Sequence, residues 1–336
     1  MKNNPFTSLL FALIVLGFTS SCVSTTEENS NTTDEITEIL SSWSEGENKT
    51  AILDFVKQVS DENSKSFVPV ENRIAVFDND GTLWIEKPLY IPVEFEIAWL
   101  KEEVKTNPEL LQNELFKGLV ENDMSVLKKY NTFQLIEQIF AAHAGQEVSD
   151  YSNDSRAFLD TAKHPKYNIL FKNLIYTPMV ELVAYLQEND FDVFIVTGGE
   201  IDFLRSVSME IYNIPPENVI GSSVQYKYIA GENGSELIRT SEIGSANDKY
   251  VKPTNIQLHI GKKPIFAAGN SDGDYEMMEY TLSGDGASMA VLVHHDDADR
   301  EYVYTHGTEK AVKDAKTKGW HIVSMKDDFK SVFEKK

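Results

Sequence analysis

Apolar positions along the chain fall into two patterns. Ala51, Ile52, Phe55 and Val56 recur at helical spacing, and Ile74–Phe77 then forms a continuous apolar run ending at Asp78, which predicts a buried strand. Helical periodicity follows at Leu110, Leu111, Leu115, Phe116, Leu119 and Val120, again at Phe133, Ile136, Ile139 and Phe140, and at Phe158 and Leu159, with no comparable strand pattern between them. Residues 179–186 read as a helix, Asn189-Asp190 as a turn, and 193–196 as a strand that ends at Thr197-Gly198-Gly199. A helix is expected from about Ile201, a hairpin around 231–234, and another helix at Lys252-Pro253, where proline suits the first turn. Strand 265–268, helix 275–282, strand 289–293 and a C-terminal α/β stretch complete the pattern. Strands alternating with helices predict an α/β fold with a parallel sheet. The predicted body is therefore an α/β core over 48–87 and 173–336, interrupted by an all-helical insert at 88–172.

The first 22 residues differ in kind. Lys2 precedes an apolar run from Leu9 to Phe18, broken by Gly17 and followed by Thr19, Ser20, Ser21 and Cys22. This reads as a secretory signal, too short for a comfortable permanent span. Cys22 resembles the lipidated cysteine of bacterial lipoprotein signals, although Thr19 stands where leucine is usual. The resemblance implies export to the bacterial periplasm or cell envelope, with acyl chains on Cys22 as the only membrane contact. Residues 23–47, rich in Ser, Thr, Glu and Asn, read as a tether, with Ile36, Ile39, Leu40 and Trp43 beginning a helix at its end.

Composition narrows the function. Cys22 is the only cysteine among 336 residues, which excludes an intramolecular disulfide and any multi-cysteine metal site. With 31 basic against 53 acidic residues the formal charge is −22, which argues against a nucleic-acid partner. Part of that acidity lies in the tether. The chain is expected to act as a monomer on a small substrate.

The chemistry gathers at predicted strand ends. Asp78 and Asp80 follow the first strand, with Gly81 allowing a turn and Thr82 adding a hydroxyl. Paired carboxylates favour a hard divalent cation such as Mg²⁺. One carboxylate can attack phosphorus and the other can protonate a leaving oxygen and then activate water. Thr197 ends a later strand. Gly269-Asn-Ser-Asp272-Gly-Asp274, an Asx-rich run, follows another.

The run Asp78-Asn-Asp-Gly-Thr82 resembles the first motif of the haloacid dehalogenase-like superfamily, specifically its aspartate-nucleophile phosphatases. Trp84–Pro88, Tyr176-Thr-Pro-Met179 and Gly269–Met277 extend the likeness to a secreted, phosphoserine-phosphatase-like branch. The resemblance implies a Rossmann-type parallel sheet with the helical block as a cap at the first insertion position. It implies a Mg²⁺-dependent phosphomonoesterase in which Asp78 is the nucleophile and Asp80 the general acid and base. Thr197, Gly198 and Lys252 would hold the phosphoryl oxygens, with Lys249 the competing lysine. Asp78, the Asp80 carbonyl, Asn270 and Asp274 would hold the metal. Asn270 departs from the family, where an acid is common at that position. Asp80 favours a phosphatase over a dehalogenase. A phosphotransferase using the same aspartyl-phosphate, or an inactive binding shell, are the alternatives.

Other residues are weaker candidates. Trp84 and Glu86, with Lys87, are placed at the cap entrance as substrate contacts, against packing for Trp84 and solvation for the charged pair. Arg205 suits the surface better than a phosphate. His294-His295 looks like a metal pair, but adjacent strand residues face opposite sides, so a polar strand end is the better reading.

Overall fold

A computed structural model describes residues 39–334 except 232 and 233. The predicted signal, Cys22 and most of the predicted tether lie outside the described residues.

Strand β1 (Ile74–Phe77) is buried throughout. Its side chains alternate between two cores. Ala75 and Phe77 pack on one face of the sheet with Ile195 and Met179, while Ile74 and Val76 pack on the other with Val196, Ile256 and Met278. Both faces are covered, which is why the strand reads as an unbroken apolar run rather than an alternating one.

The helices and strands follow one another as the periodicities predict. In chain order they are α1 (Glu47–Ser60), β1, α2 (Ile91–Glu103), α3 (Glu114–Val120), α4 (Thr132–Ala142), α5 (Val148–Thr161), α6 (Thr177–Glu188), β2 (Asp192–Glu200), α7 (Ile201–Arg205), α8 (Ser208–Tyr212), β3 (Val219–Gly231), β4 (Gly234–Ser245), α9 (Val251–His259), β5 (Phe266–Gly269), α10 (Tyr275–Leu282), β6 (Met289–His294), α11 (Glu309–Lys318) and β7 (His321–Ser324). The sheet order is β4-β3-β2-β1-β5-β6-β7. All neighbours are parallel except β3 and β4, which form a hairpin.

Register fixes the place of the chemistry. Phe77 lies level with Ile195 of β2 and Ala268 of β5, so Asp78 emerges beside Val196-Thr197 and Gly269-Asn270. β2 does not end at Thr197 but runs on to Glu200, with a register shift against β3 after Val196. Strand order reverses at β1, the crevice where open α/β sheets bind ligands.

Helices α2 to α5 fall between β1 and β2. Ile97, Leu100, Leu115, Phe116, Leu119 and Val126 form a core of their own there. Asn113 starts α3 by accepting hydrogen bonds from the backbone N–H groups of Leu115 and Phe116, at 2.9 and 3.3 Å.

Two expectations change. Residues 39–46 are not a tether. Leu40 and Trp43 are buried, Trp43 Nε1 donates to the Pro178 carbonyl at 2.8 Å, and its ring meets Phe329 edge-on at 5.2 Å. Nor do these residues begin a helix; they form turns, and the helix starts at Glu47. Ile39 is exposed, while Leu40 joins the main core and Trp43 serves as an anchor against α6 and the C-terminal segment. The hairpin is also far longer than its turn suggests, and much of β3 and β4 beyond the sheet is exposed.

Candidate active site

Asp78 leaves β1 with its backbone N–H bonded to the Ala268 carbonyl at 2.9 Å, so the chain is still in sheet register at this residue. The next residues turn sharply. The Asn79 carbonyl accepts from the N–H groups of Thr82, Leu83 and Trp84, and Gly81 sits at φ +76°. That left-handed conformation disfavours any other residue. Space reinforces the demand, since a Cβ at Gly81 would lie 2.0 Å from Asn270 Nδ2.

Lys252, in the first turn of α9, is the lysine that reaches Asp78. Its Nζ lies 2.7 Å from Asp78 Oδ1 and 2.6 Å from Asp274 Oδ1, and the residue is only 2% exposed. Lys249 is exposed at the surface. Asp274 uses its other oxygen, Oδ2, to accept from the N–H groups of Asn270 and Ser271, each at 3.0 Å, and from Ser271 Oγ at 3.1 Å. One carboxylate thus ties the β5 loop to Lys252.

Asp80 is held from two sides. Trp84 Nε1 donates to Oδ1 at 2.8 Å, and Thr197 Oγ1 faces Oδ2 at 3.5 Å. Thr197 Oγ1 also accepts from the Gly199 N–H at 2.9 Å. Asn247 Nδ2 donates to the Thr197 carbonyl at 2.8 Å. Gly198 is exposed beside this turn.

Charge is concentrated here. Burial, then the charge of Asp274, pushes the Asp78 carboxyl well above the usual range against the pull of Lys252. Burial pushes Asp80 up to about 6 despite the Trp84 hydrogen bond. Burial opposes the charge on Lys252, yet Asp274 and Asp78 hold it above the ordinary lysine value. The local set is four carboxylates (Asp78, Asp80, Glu86, Asp274) against two lysines (Lys87, Lys252). When ionised, these carboxylates favour a divalent cation beside them.

The donors fit such an ion. Among the described residues no group of three or more His, Cys, Asp or Glu side chains forms a preassembled cage. Magnesium needs none, because it retains several waters and is held by one or two carboxylates. Asp78 and the Asn270 amide supply hard oxygen. Asp274 adds a third source of carboxylate or amide oxygen, and its accepted hydrogen bonds brace the β5 loop around the site.

Trp84 and Glu86 stand elsewhere than expected, while Arg205 and the His294-His295 pair stand where the sequence predicts. Trp84 is 1% exposed and lies behind Asp80, not at an entrance. Glu86 is 5% exposed and faces Asn270 and Lys87 rather than open space. Asp272 accepts from the N–H groups of Ala311 and Lys310, at 2.7 and 3.3 Å, so it caps α11. Arg205 donates to the carbonyls of Pro216 and Val219. His294 faces Asp296 at 3.7 Å, while His295 is buried and donates to the Gly81 carbonyl at 2.8 Å. Sequence reasoning missed Asn247, Tyr304 and the support from His295. Each acts through a contact more than thirty residues away, and no local spacing marks it.

This arrangement defines a class. Residues 75–279 match the family model described as haloacid dehalogenase-like hydrolase, and the chain belongs to that family. No curated protein matches it by sequence. Among solved structures, a conserved functionally unknown protein from Anaerococcus prevotii DSM 20548 is 13% identical with a TM-score of 0.53, over 82% of this chain and 91% of its own. A protein with unknown function from Bordetella pertussis Tohama I is 13% identical with a TM-score of 0.50, over 75% and 98%. A phosphoserine phosphohydrolase-like protein from Francisella tularensis is 19% identical with a TM-score of 0.40, over 75% and 94%. The first two share the fold.

Proposed function

We propose that the protein hydrolyses phosphomonoesters through an aspartyl-phosphate on Asp78. The observation that carries this reading is Lys252 bridging Asp78 and Asp274 at the ends of adjacent strands. Such a lysine favours the ionised form of a buried carboxylate against the burial that opposes it, and leaves a cation beside an incoming phosphoryl group.

Asp78 attacks phosphorus, forming an O–P bond as the ester O–P bond breaks. Asp80 gives its proton to the leaving oxygen, and its raised pKa suits a group that must carry one. Trp84 aims the Asp80 carboxylate. Asp80 then takes a proton from water, which attacks phosphorus, releases phosphate and restores Asp78. Lys252, Thr197 and the exposed backbone at Gly198 hold the phosphoryl oxygens in place. Asp78, the Asp80 carbonyl, Asn270 and Asp274 would hold Mg²⁺. When bound, the ion neutralises charge on the phosphoryl oxygens. The helices from 91 to 161 would serve as the cap over this site.

Hydrolysis of p-nitrophenyl phosphate with and without Mg²⁺ tests the proposal. Mg²⁺-dependent release that is lost in Asp78→Asn is expected. Full activity in that variant would overturn the mechanism.

A further inference from the structure

Asn270 offers oxygen but no charge, and its amide is useful to a cation only if Oδ1, not Nδ2, faces it. Three groups decide that orientation. Nδ2 faces Glu86 Oε1 and the Tyr304 hydroxyl, each at 3.5 Å. Oδ1 lies at the other end, 3.5 Å from Thr82 Oγ1. An ionised carboxylate only accepts hydrogen bonds, so flipping the amide would set two acceptors against each other. The contacts are long, but there is no slack around them: a Cβ at Gly81 would lie 2.0 Å from Asn270 Nδ2 and 3.0 Å from Glu86 Cδ.

Glu86 is poorly placed to touch a substrate. It is buried, and a carboxylate beside a phosphoryl dianion would repel it. Its Oε1 is 3.3 Å from Lys87 Nζ, and that ammonium lies 4.3 Å from the centre of the Tyr304 ring. Lys87 is more open to solvent than Glu86, so its charge is the better screened of the two.

Resting on the Mg²⁺-dependent reading above, we infer that Glu86 is a positioning residue for Asn270. It holds the amide with Oδ1 toward the cation, and it supplies from behind the negative charge that Asn270 lacks. Outer partners of metal ligands commonly change metal affinity by 10–100-fold when replaced.

Calorimetric titration of the purified protein with Mg²⁺, without substrate, tests this directly. Glu86→Gln keeps the shape and removes the charge, and should weaken Mg²⁺ binding about tenfold. Asn270→Asp alone sets a second carboxylate against Glu86 and should bring no gain. In the Glu86→Gln background the same change should recover the lost affinity. Equal Mg²⁺ affinity in wild type and Glu86→Gln defeats the inference alone. If Glu86→Gln does not fold, Asn270→Asp decides: tighter binding overturns the inference, unchanged or weaker binding supports it. A wild-type protein that binds no Mg²⁺ defeats the phosphatase reading and the inference with it.

Discussion

Replacing Lys252 by methionine removes the one cation between two buried carboxylates while keeping most of the side-chain volume. The ammonium touches Asp78 at 2.7 Å and Asp274 at 2.6 Å, and all three residues are buried. Removing one partner of such a pair typically costs about 3–5 kcal/mol, because the survivor is left charged and desolvated. At about 2–4 °C per kcal/mol for a large domain, the melting temperature should fall by roughly 10 °C. The sign of the pH dependence follows. Burial and the charge of Asp274 already raise Asp78, and removing Lys252 takes away the pull against them, so the folded chain holds that proton more tightly than the unfolded one and folding is helped by acid. The deficit should therefore shrink as pH falls from 8 toward 5. Adding Asp274→Asn removes one of the stranded charges and should recover part of the loss in the methionine background, although it is destabilising by itself. Thermal denaturation of the four proteins completes the double-mutant cycle. Activity should stay lost in the double variant, since the phosphoryl-holding cation is still missing. Lys249→Met, on the surface, should melt as wild type. A Lys252→Met protein as stable as wild type, or Asp274→Asn effects that simply add, would refute the reasoning.

Two further outcomes follow from close packing and buried charge. Gly269→Ala would put a Cβ 2.5 Å from Asp274 Cβ, so the loop must move, and kcat/KM should fall on the order of a hundredfold, the cost of about 1 Å of misplacement. Unchanged turnover in that variant would show that the loop has room to spare. Glu200 is buried and pushed up to about 7, mainly by burial, against the pull of Arg239 2.8 Å away. Its folded-state pKa lies above the ordinary carboxylate value, so stability should be lost as pH rises from about 4.5 through 7. Glu200→Gln should flatten that decline, as read from melting temperatures across the window; an identical slope in both proteins would dismiss Glu200 as its source.

Elements whose signal is local were legible in the sequence. β1 runs over Ile74–Phe77 and α10 over Tyr275–Leu282, as their periodicity predicts, because a strand covered on both faces and an amphipathic helix each announce themselves through their own period. The ends of β1, β2 and β5 could be placed together because parallel strands deliver their C-termini to one edge. What periodicity could not supply was direction at a distance. Lys249 and Lys252 are three residues apart and equally basic, and only the turn before α9 separates them. Lys249 takes a left-handed φ of 51° in that turn, while Lys252 lies on the helix and points inward. Asp272 reads as a metal ligand until α11 arrives above it, 38 residues later. Leu40 and Trp43 look like stray apolar positions in a polar tether until the surface of α6 is present to receive them.

The same distinction explains how the site divides its work. Among the described residues, the Asp78, Asp80, Asn270, Asp274 and Lys252 side chains are hydrogen-bonded by β-strand ends, the 79–86 turn, α9, the 270–274 loop, Thr197 and Tyr304. Among the described residues, helices α2 to α5 contribute to none of them. The reacting groups are therefore braced by the core, where register and burial hold them, and they do not depend on the helices to find their geometry. α2, α3 and the turn after them carry a small core of their own, while Phe95 of α2 and Tyr151 and Leu159 of α5 pack into the main core. The outward faces of these helices can vary in shape and polarity without disturbing Lys252 or the β5 loop. Discrimination among phosphorylated substrates must then come from the surface that the helices and the residues after Glu86 present to the leaving group, which is the part of the chain where short motifs are silent.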